Sequence, residues 1–221
     1  MLKIITAVVA APLIFLPLAS HAQFNLPNIP KLGGALGGAL GGSSGGSDAA
    51  AGQSTSLVRG YVAANKDVLN ANSLMAEALG LKDEAASLKA TANALTEGAT
   101  QGNLEESNKA VSTSTDKVAA AMAKHPQMDA ASKAKYQSGI GMLGTGMLKY
   151  IALRGPAADF SSSIRTVSPT ALTSIQSGIF VMTKLPSSIS NLNTSLKNAT
   201  AFSKSNDIPV PDDATKALAA I

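Results

Sequence analysis

Residues 138–150 read SGIGMLGTGMLKY, and whether this stretch turns or coils decides the kind of fold. Gly139, Gly141 and Gly144 satisfy the G-x-G-x-x-G spacing of a dinucleotide-binding turn. That motif works when a strand delivers the glycines and a helix begins directly after them, turning its free N–H groups toward a pyrophosphate. Here the residues leading in, Asp129 to Gln137, are polar and helix-like. A stripe of Tyr136, Ile140, Leu143, Met147 and Tyr150 runs through the glycines at helical spacing. The stretch therefore reads as helix and not as a cofactor loop.

Glycine costs a helix interior about 1 kcal/mol relative to alanine, so a helix that keeps several must regain that cost in packing. Gly139 and Gly146 lie seven residues apart on one side, and Gly141 and Gly144 three apart on another, leaving room for a neighbouring backbone. The tetrapeptide Gln137-Ser138-Gly139-Ile140 recurs as Gln176-Ser177-Gly178-Ile179. This echo predicts that the two helices carrying it meet face to face.

The same periodicity extends in both directions. Leu57, Tyr61, Ala64, Val68, Ala71, Met75 and Ala78 form one stripe, closed by Gly80 as a left-handed cap with Leu81 folding back. Ala85, Leu88, Ala92 and Leu95 form a second, stopped by Gly98. Asn103 is the expected cap of a third helix, with Glu106 reaching back. Its stripe of Leu104, Val111, Val118 and Met122 ends before His125-Pro126. Asp129 caps the fourth, which stops at Gly155-Pro156, and a short segment runs from Ala157 to Val167. Ser168-Pro169 then opens a helix carrying Leu172, Ile175, Ile179 and Met182, which Pro186 breaks or kinks. Ile189, Leu192, Leu196 and Ala199 mark a further helix, and Asp212-Asp213 starts a last one. The expectation is all-α, an antiparallel bundle of about five to seven helices over residues 53–221.

The amino-terminal part is different. Met1-Leu-Lys3 precedes an apolar run from Ile4 to Ala19, and Ser20-His21-Ala22 puts small residues where a signal peptidase inspects. The run is shorter than the roughly 20 apolar residues of a membrane span and is interrupted by Pro12 and Pro17. Residues 1–22 thus read as a signal peptide. Residues 23–52 read as a linker, Pro-rich and then Gly/Ser-rich, with eight glycines paired between Gly33 and Gly46. It leaves Phe24, Leu26 and Ile29 on a tether.

The whole chain carries a net charge of +4, which falls to +3 once Lys3 leaves with the leader. Lysines and arginines are dispersed among acids, so no nucleic-acid footprint appears. There is no cysteine, which removes disulfides, thiolate metal sites and a cysteine-linked lipid anchor, and which suits export by a bacterium. His125 is the one histidine left after the leader and cannot build a multi-histidine metal site. Its place at a helix end fits the helix dipole.

Other motifs lack their partners. Gly41-Gly-Ser43-Ser-Gly45 has nucleophile-elbow spacing but sits in the low-complexity repeat. Ser114-Thr-Asp-Lys117 and Ser132-Lys-Ala-Lys135 have the S-x-x-K spacing without its companion elements. The acid pairs Asp83-Glu84, Glu105-Glu106 and Asp212-Asp213 each fall at an expected helix start, where negative charge is favourable. Leu74 to Gly80 has the local look of a tetratricopeptide hairpin, yet no 34-residue period follows.

No catalytic, cofactor or metal constellation is therefore expected. The leading expectation is an exported, non-enzymatic helical interaction or accessory protein of the bacterial envelope, in the periplasm or outside the cell, with another envelope protein as partner. The first alternative is a carrier of an apolar small molecule or lipid in a cleft between helices, lined by Ile140, Met142, Gly144, Met147, Ile179, Phe180 and Met182. The second is a membrane-surface protein using the apolar stretch Gly139–Leu153 followed by Arg154.

Overall fold

The computed structural model describes residues 45–221, where every regular element is helical. The leader, most of the linker and Ser43 lie outside the described residues. The first helix, α1, spans Gly45–Ala78, so residues 45–52, expected as linker, are helical. The composition of the Gly/Ser repeat obscured a usable start. Asp48 places negative charge in the first turn, Ala49 to Ala51 are strong helix formers, and Ala50 is fully buried.

The 34 residues of α1 extend about 51 Å at 1.5 Å per residue. Its predicted stripe is buried throughout, and so are Val58, Val62, Asn65, Leu69, Asn72 and Ser73 beside it. A helix covered on nearly every side is a central one. It ends as the sequence predicts. Gly80 adopts φ 82°, and the amides of Gly80 and Leu81 donate to the carbonyls of Glu77 (3.1 Å) and Ala76 (2.8 Å), the double bond of a Schellman cap.

Around α1 the chain goes down and up. Helix α2 (Lys82–Ala94) returns along it, with Ser73 Oγ donating to the Ala85 carbonyl at 2.8 Å and Arg59 pairing with Glu97 at 2.9 Å. Helix α3 (Gln101–Met122) runs back parallel to α1. Its cap is Thr100, not Asn103: Thr100 Oγ1 accepts from the Asn103 amide at 3.3 Å, and Asn103 Oδ1 accepts from the Thr100 amide at 3.1 Å. Asn103 is thus the N3 member of a capping box, its side chain standing where Glu or Gln is usual. Glu105 and Glu106 consequently sit beyond the first turn.

Helix α4 (Ala130–Ala152) is antiparallel to α1, with Lys135 on Glu77 at one end and Leu153 against Gly60 at the other. Asp129 caps it as expected, Oδ1 accepting from the Ser132 amide at 2.7 Å. That bond holds the Asp129 carboxyl below its ordinary range. Helix α4 ends at Ala152, just ahead of Gly155-Pro156 as expected, but the pair does not lie in a loop. It lies in the first turn of α5 (Arg154–Ile164), where proline's missing N–H has no intrahelical partner to lose. Ser168-Pro169 opens a 3-10 helix, Pro169–Ile175, before α6 (Gln176–Ser205). Helix α6 passes through Pro186, which faces solvent; it buries Ile189, Leu192 and Leu196 as expected, and Val181 and Leu185 in place of Ile179 and Met182. Helix α7 (Asp212–Ala219) closes the chain.

Glycine sets the closest contacts. A Cβ on Gly139 would lie 2.7 Å from Met75 Cγ and 3.0 Å from the Ala71 carbonyl; one on Gly146 would lie 2.9 Å from Val68. One on Gly144 would lie 2.5 Å from the Ala214 amide of α7. The two glycine faces are thus used as expected, but against α1 and α7. The repeated tetrapeptides do not join each other: Gly178 packs on Ser54 of α1 and on Phe160 of α5. The two helices that carry the echo do meet, but further along, where the Tyr136 and Phe202 rings lie 5.1 Å apart; the repeated tetrapeptides themselves each press on α1.

Candidate groove between the third and sixth helices

The residues proposed for an apolar cleft do not form one. Ile140 and Met147 are fully buried core, and Gly144 is occupied by the α7 backbone. Met142, Ile179 and Met182 are half-buried packing at the edge of that core. Phe180 alone among the seven lines a cavity. The stretch Gly139–Leu153 is likewise inside the bundle, with Ile140, Leu143, Met147 and Tyr150 almost without exposure. No helix among the described residues is long and apolar enough to cross a membrane.

The cavity that does form, of about 580 Å³, lies between α3 and α6 over a floor from α1 and α4. That volume is within the range of small-molecule sites. Its apolar floor comes from Met75, Val118, Met122, Leu143 and Leu192, with Phe180 and Tyr150 toward the other end. The walls are polar: Asn108, Ser112 and Thr115 on α3 face Ser188, Asn191 and Ser195 on α6.

A hydrogen-bonded ladder ties the wall to the core. Tyr61 OH donates to Asn108 Oδ1 at 2.8 Å and lies 3.0 Å from Ser188 Oγ, joining α1, α3 and α6 at one point. Asn65 Nδ2 donates to the same Asn108 oxygen at 3.4 Å, and Tyr150 OH donates to Asn65 Oδ1. One heptad on, Asn72 Nδ2 donates to Ser114 Oγ (2.8 Å) and Thr115 Oγ1 (3.2 Å). Buried amides in such a position must be satisfied, and their geometry fixes the register of the two parallel helices. The Tyr61 and Tyr150 rings meet edge to face, centroids 5.0 Å apart.

Burial raises the pKa of both phenols; the hydrogen bonds with Ser188 and Asn108 oppose the rise at Tyr61, whereas proximity to Tyr61 adds to it at Tyr150. Both are neutral hydrogen-bonding groups near neutral pH. Ser114, in the S-x-x-K spacing, donates to the Val111 carbonyl at 2.9 Å, while Lys117 turns away to Glu84. In the second such spacing Lys135 is paired with Glu77, which lowers the Glu77 pKa. Among the described residues no group of three or more His, Cys, Asp or Glu side chains is placed to hold a metal ion.

Sequence reasoning missed Asn65, Asn72, Asn108, Lys184 and Ser188. One signal was present: Asn65 and Asn72, like Asn108 and Thr115, repeat at seven residues beside an apolar stripe. No protein-family model, curated protein or solved structure matches the chain.

Proposed function

We propose that this chain is an exported, non-enzymatic accessory protein of the bacterial envelope that carries an elongated small molecule or lipid in the groove between α3 and α6. The observation that carries this reading is the groove itself, a concavity of about 580 Å³ with an apolar floor and hydrogen-bonding walls. It moves the carrier reading from α4 to α3 and α6. Export rests on the reading of residues 1–22, and the periplasm is the favoured destination, with release outside the cell as the alternative. Amino-terminal sequencing of protein from the cell fractions tests it; a chain beginning at Met1 in the cytoplasm would overturn it.

Native mass spectrometry of protein purified from its host tests the cargo. An adduct of a few hundred daltons that is lost when Ala119→Phe fills the groove is the expected result, and a bare mass in both forms counts against the reading. A second reading, a protein partner in the envelope, draws on the uncharged amides and hydroxyls of the walls, since Asn191, Ser195 and Ser112 also suit the backbone of a peptide. A pull-down that loses one specific partner with the same substitution would favour it.

A further inference from the structure

The groove changes character along its length. At the level where Asn108 and Ser188 meet on Tyr61, Lys109 stands on the α3 wall and Lys184 one turn before Ser188 on α6. Both lysines are exposed and neither forms an ion pair with an acid of the described residues. Glu105 lies at the same end but accepts from Gln101 Nε2 at 2.8 Å, so two cations face one acid there. The Asn108 oxygen is taken by Tyr61 and Asn65, which leaves its amide nitrogen as a donor at this end.

Further along, past Asp116 on the α3 wall, the floor turns apolar, with Val118, Ala119 and Met122 of α3 opposite Leu192 and Ala199 of α6, and Met75 beneath. From Lys109 to Met122 the α3 wall is about 20 Å long, the reach of an extended fatty-acyl chain. Cations stand at one end, and at the other the floor is hydrocarbon beneath an α6 rim of Thr194, Ser195 and Asn198, an arrangement that matches a molecule polarised in the same sense.

We propose that the occupant is a single-chain amphiphile with an anionic head, the head on Lys109 and Lys184 and the tail running toward Met122. This rests on the groove being a ligand site and adds the chemical class and the direction of the ligand. Hydrogen bonds from ammonium groups to an anion discriminate against a neutral head, and each methylene laid on the floor adds to affinity.

Calorimetric titration of the full chain with dodecanoate, dodecanol and acetate tests it, at low ionic strength because exposed charges are screened by salt. Dodecanoate is expected to bind about tenfold more tightly than dodecanol, and acetate not detectably. Lys109→Glu with Lys184→Glu removes the preference for dodecanoate and leaves dodecanol unchanged, with an unaltered circular-dichroism melt as the check on folding. Ala119→Phe weakens both. A twelve-carbon lysophosphatidylglycerol binding more tightly than dodecanoate would identify a phosphate head, and weaker binding a carboxylate; either agrees with the assignment.

Equal binding of acid and alcohol, unmoved by the lysine substitutions, would overturn the anionic head and leave the groove reading standing. Acetate binding as tightly as dodecanoate would overturn the tail. Binding of none of the probes would overturn both.

Discussion

Helix α1 meets α4 and α3 through the same seven-residue repeat and with opposite results. Toward α4 the repeated residues are Gly139 and Gly146, and the backbones close on Ala71, Met75 and Val68 with no room for a methyl group. Toward α3 they are Asn108 and Thr115 against Asn65 and Asn72, and the helices are held by side-chain hydrogen bonds above a floor that α6 leaves open. A heptad specifies a neighbour but not how near it comes. Small residues give a dry contact won by dispersion, whereas amides hold a fixed register and keep polar groups beside an open space. The open groove and the tight core are therefore two uses of one periodicity.

The sharpest way to break this contrast is to put a side chain where the backbone now fits. Gly144→Leu drives its Cβ into the Asp213–Ala214 backbone of α7, and we expect a loss of about 3 kcal/mol, read as a fall in Tm of about 10 °C for a chain of this size. An unchanged melt would mean that α7 does not pack on α4.

The polar side is next. Asn72→Leu leaves Thr115 Oγ1 without its donor while Ser114 keeps the Val111 carbonyl, and should cost about 1–3 kcal/mol by denaturant titration. Combining it with Thr115→Val should restore part of that, because both partners of the bond then become apolar. A double substitution that costs the sum of the two would show that the ladder does not couple them.

Asp129→Ala removes a cap worth about 1 kcal/mol. The Asp129 pKa is lowered in the fold, so the charged part of this stabilisation is present above the ordinary carboxylate pKa and is lost as pH falls through the folded value. The Tm difference between the parent and Asp129→Ala should narrow on acidification below about pH 4; a constant difference would assign the cap to the neutral side chain.

The smallest effect has the opposite sign. A Cβ on Gly52 would meet nothing within 4 Å, so Gly52→Ala should stabilise α1 by about 0.5–1 kcal/mol. Destabilisation there would reveal a contact on that face.

The helical content, the α1 and α4 stripes and the Gly80 and Asp129 caps could be read from sequence, because each is set by residues within one or two turns. Where the helices touch could not. A glycine stripe says that some backbone comes close, yet Gly178 and Gly139 each press on α1, and the two helices that carry them meet elsewhere, at Tyr136 and Phe202. The same holds for Met142, Ile179 and Met182, expected to line a cleft, where apolar residues at helical spacing are packing. The groove lies between elements some 75 residues apart in sequence, where no further helix of the described residues crosses from α3 to α6, a property with no local signature. Only the heptad-spaced asparagines hinted at it.

Helix α1 is made early and its closest partner late. The glycines that receive it belong to α4, which is complete only at Ala152, so a chain emerging from its amino terminus keeps Leu57, Val68 and Met75 uncovered while some 70 further residues are added. A fragment ending at Met122 should show helix by circular dichroism without a cooperative melt. Until α4 is complete the core stays open, so the residues that close it also set when the fold is finished.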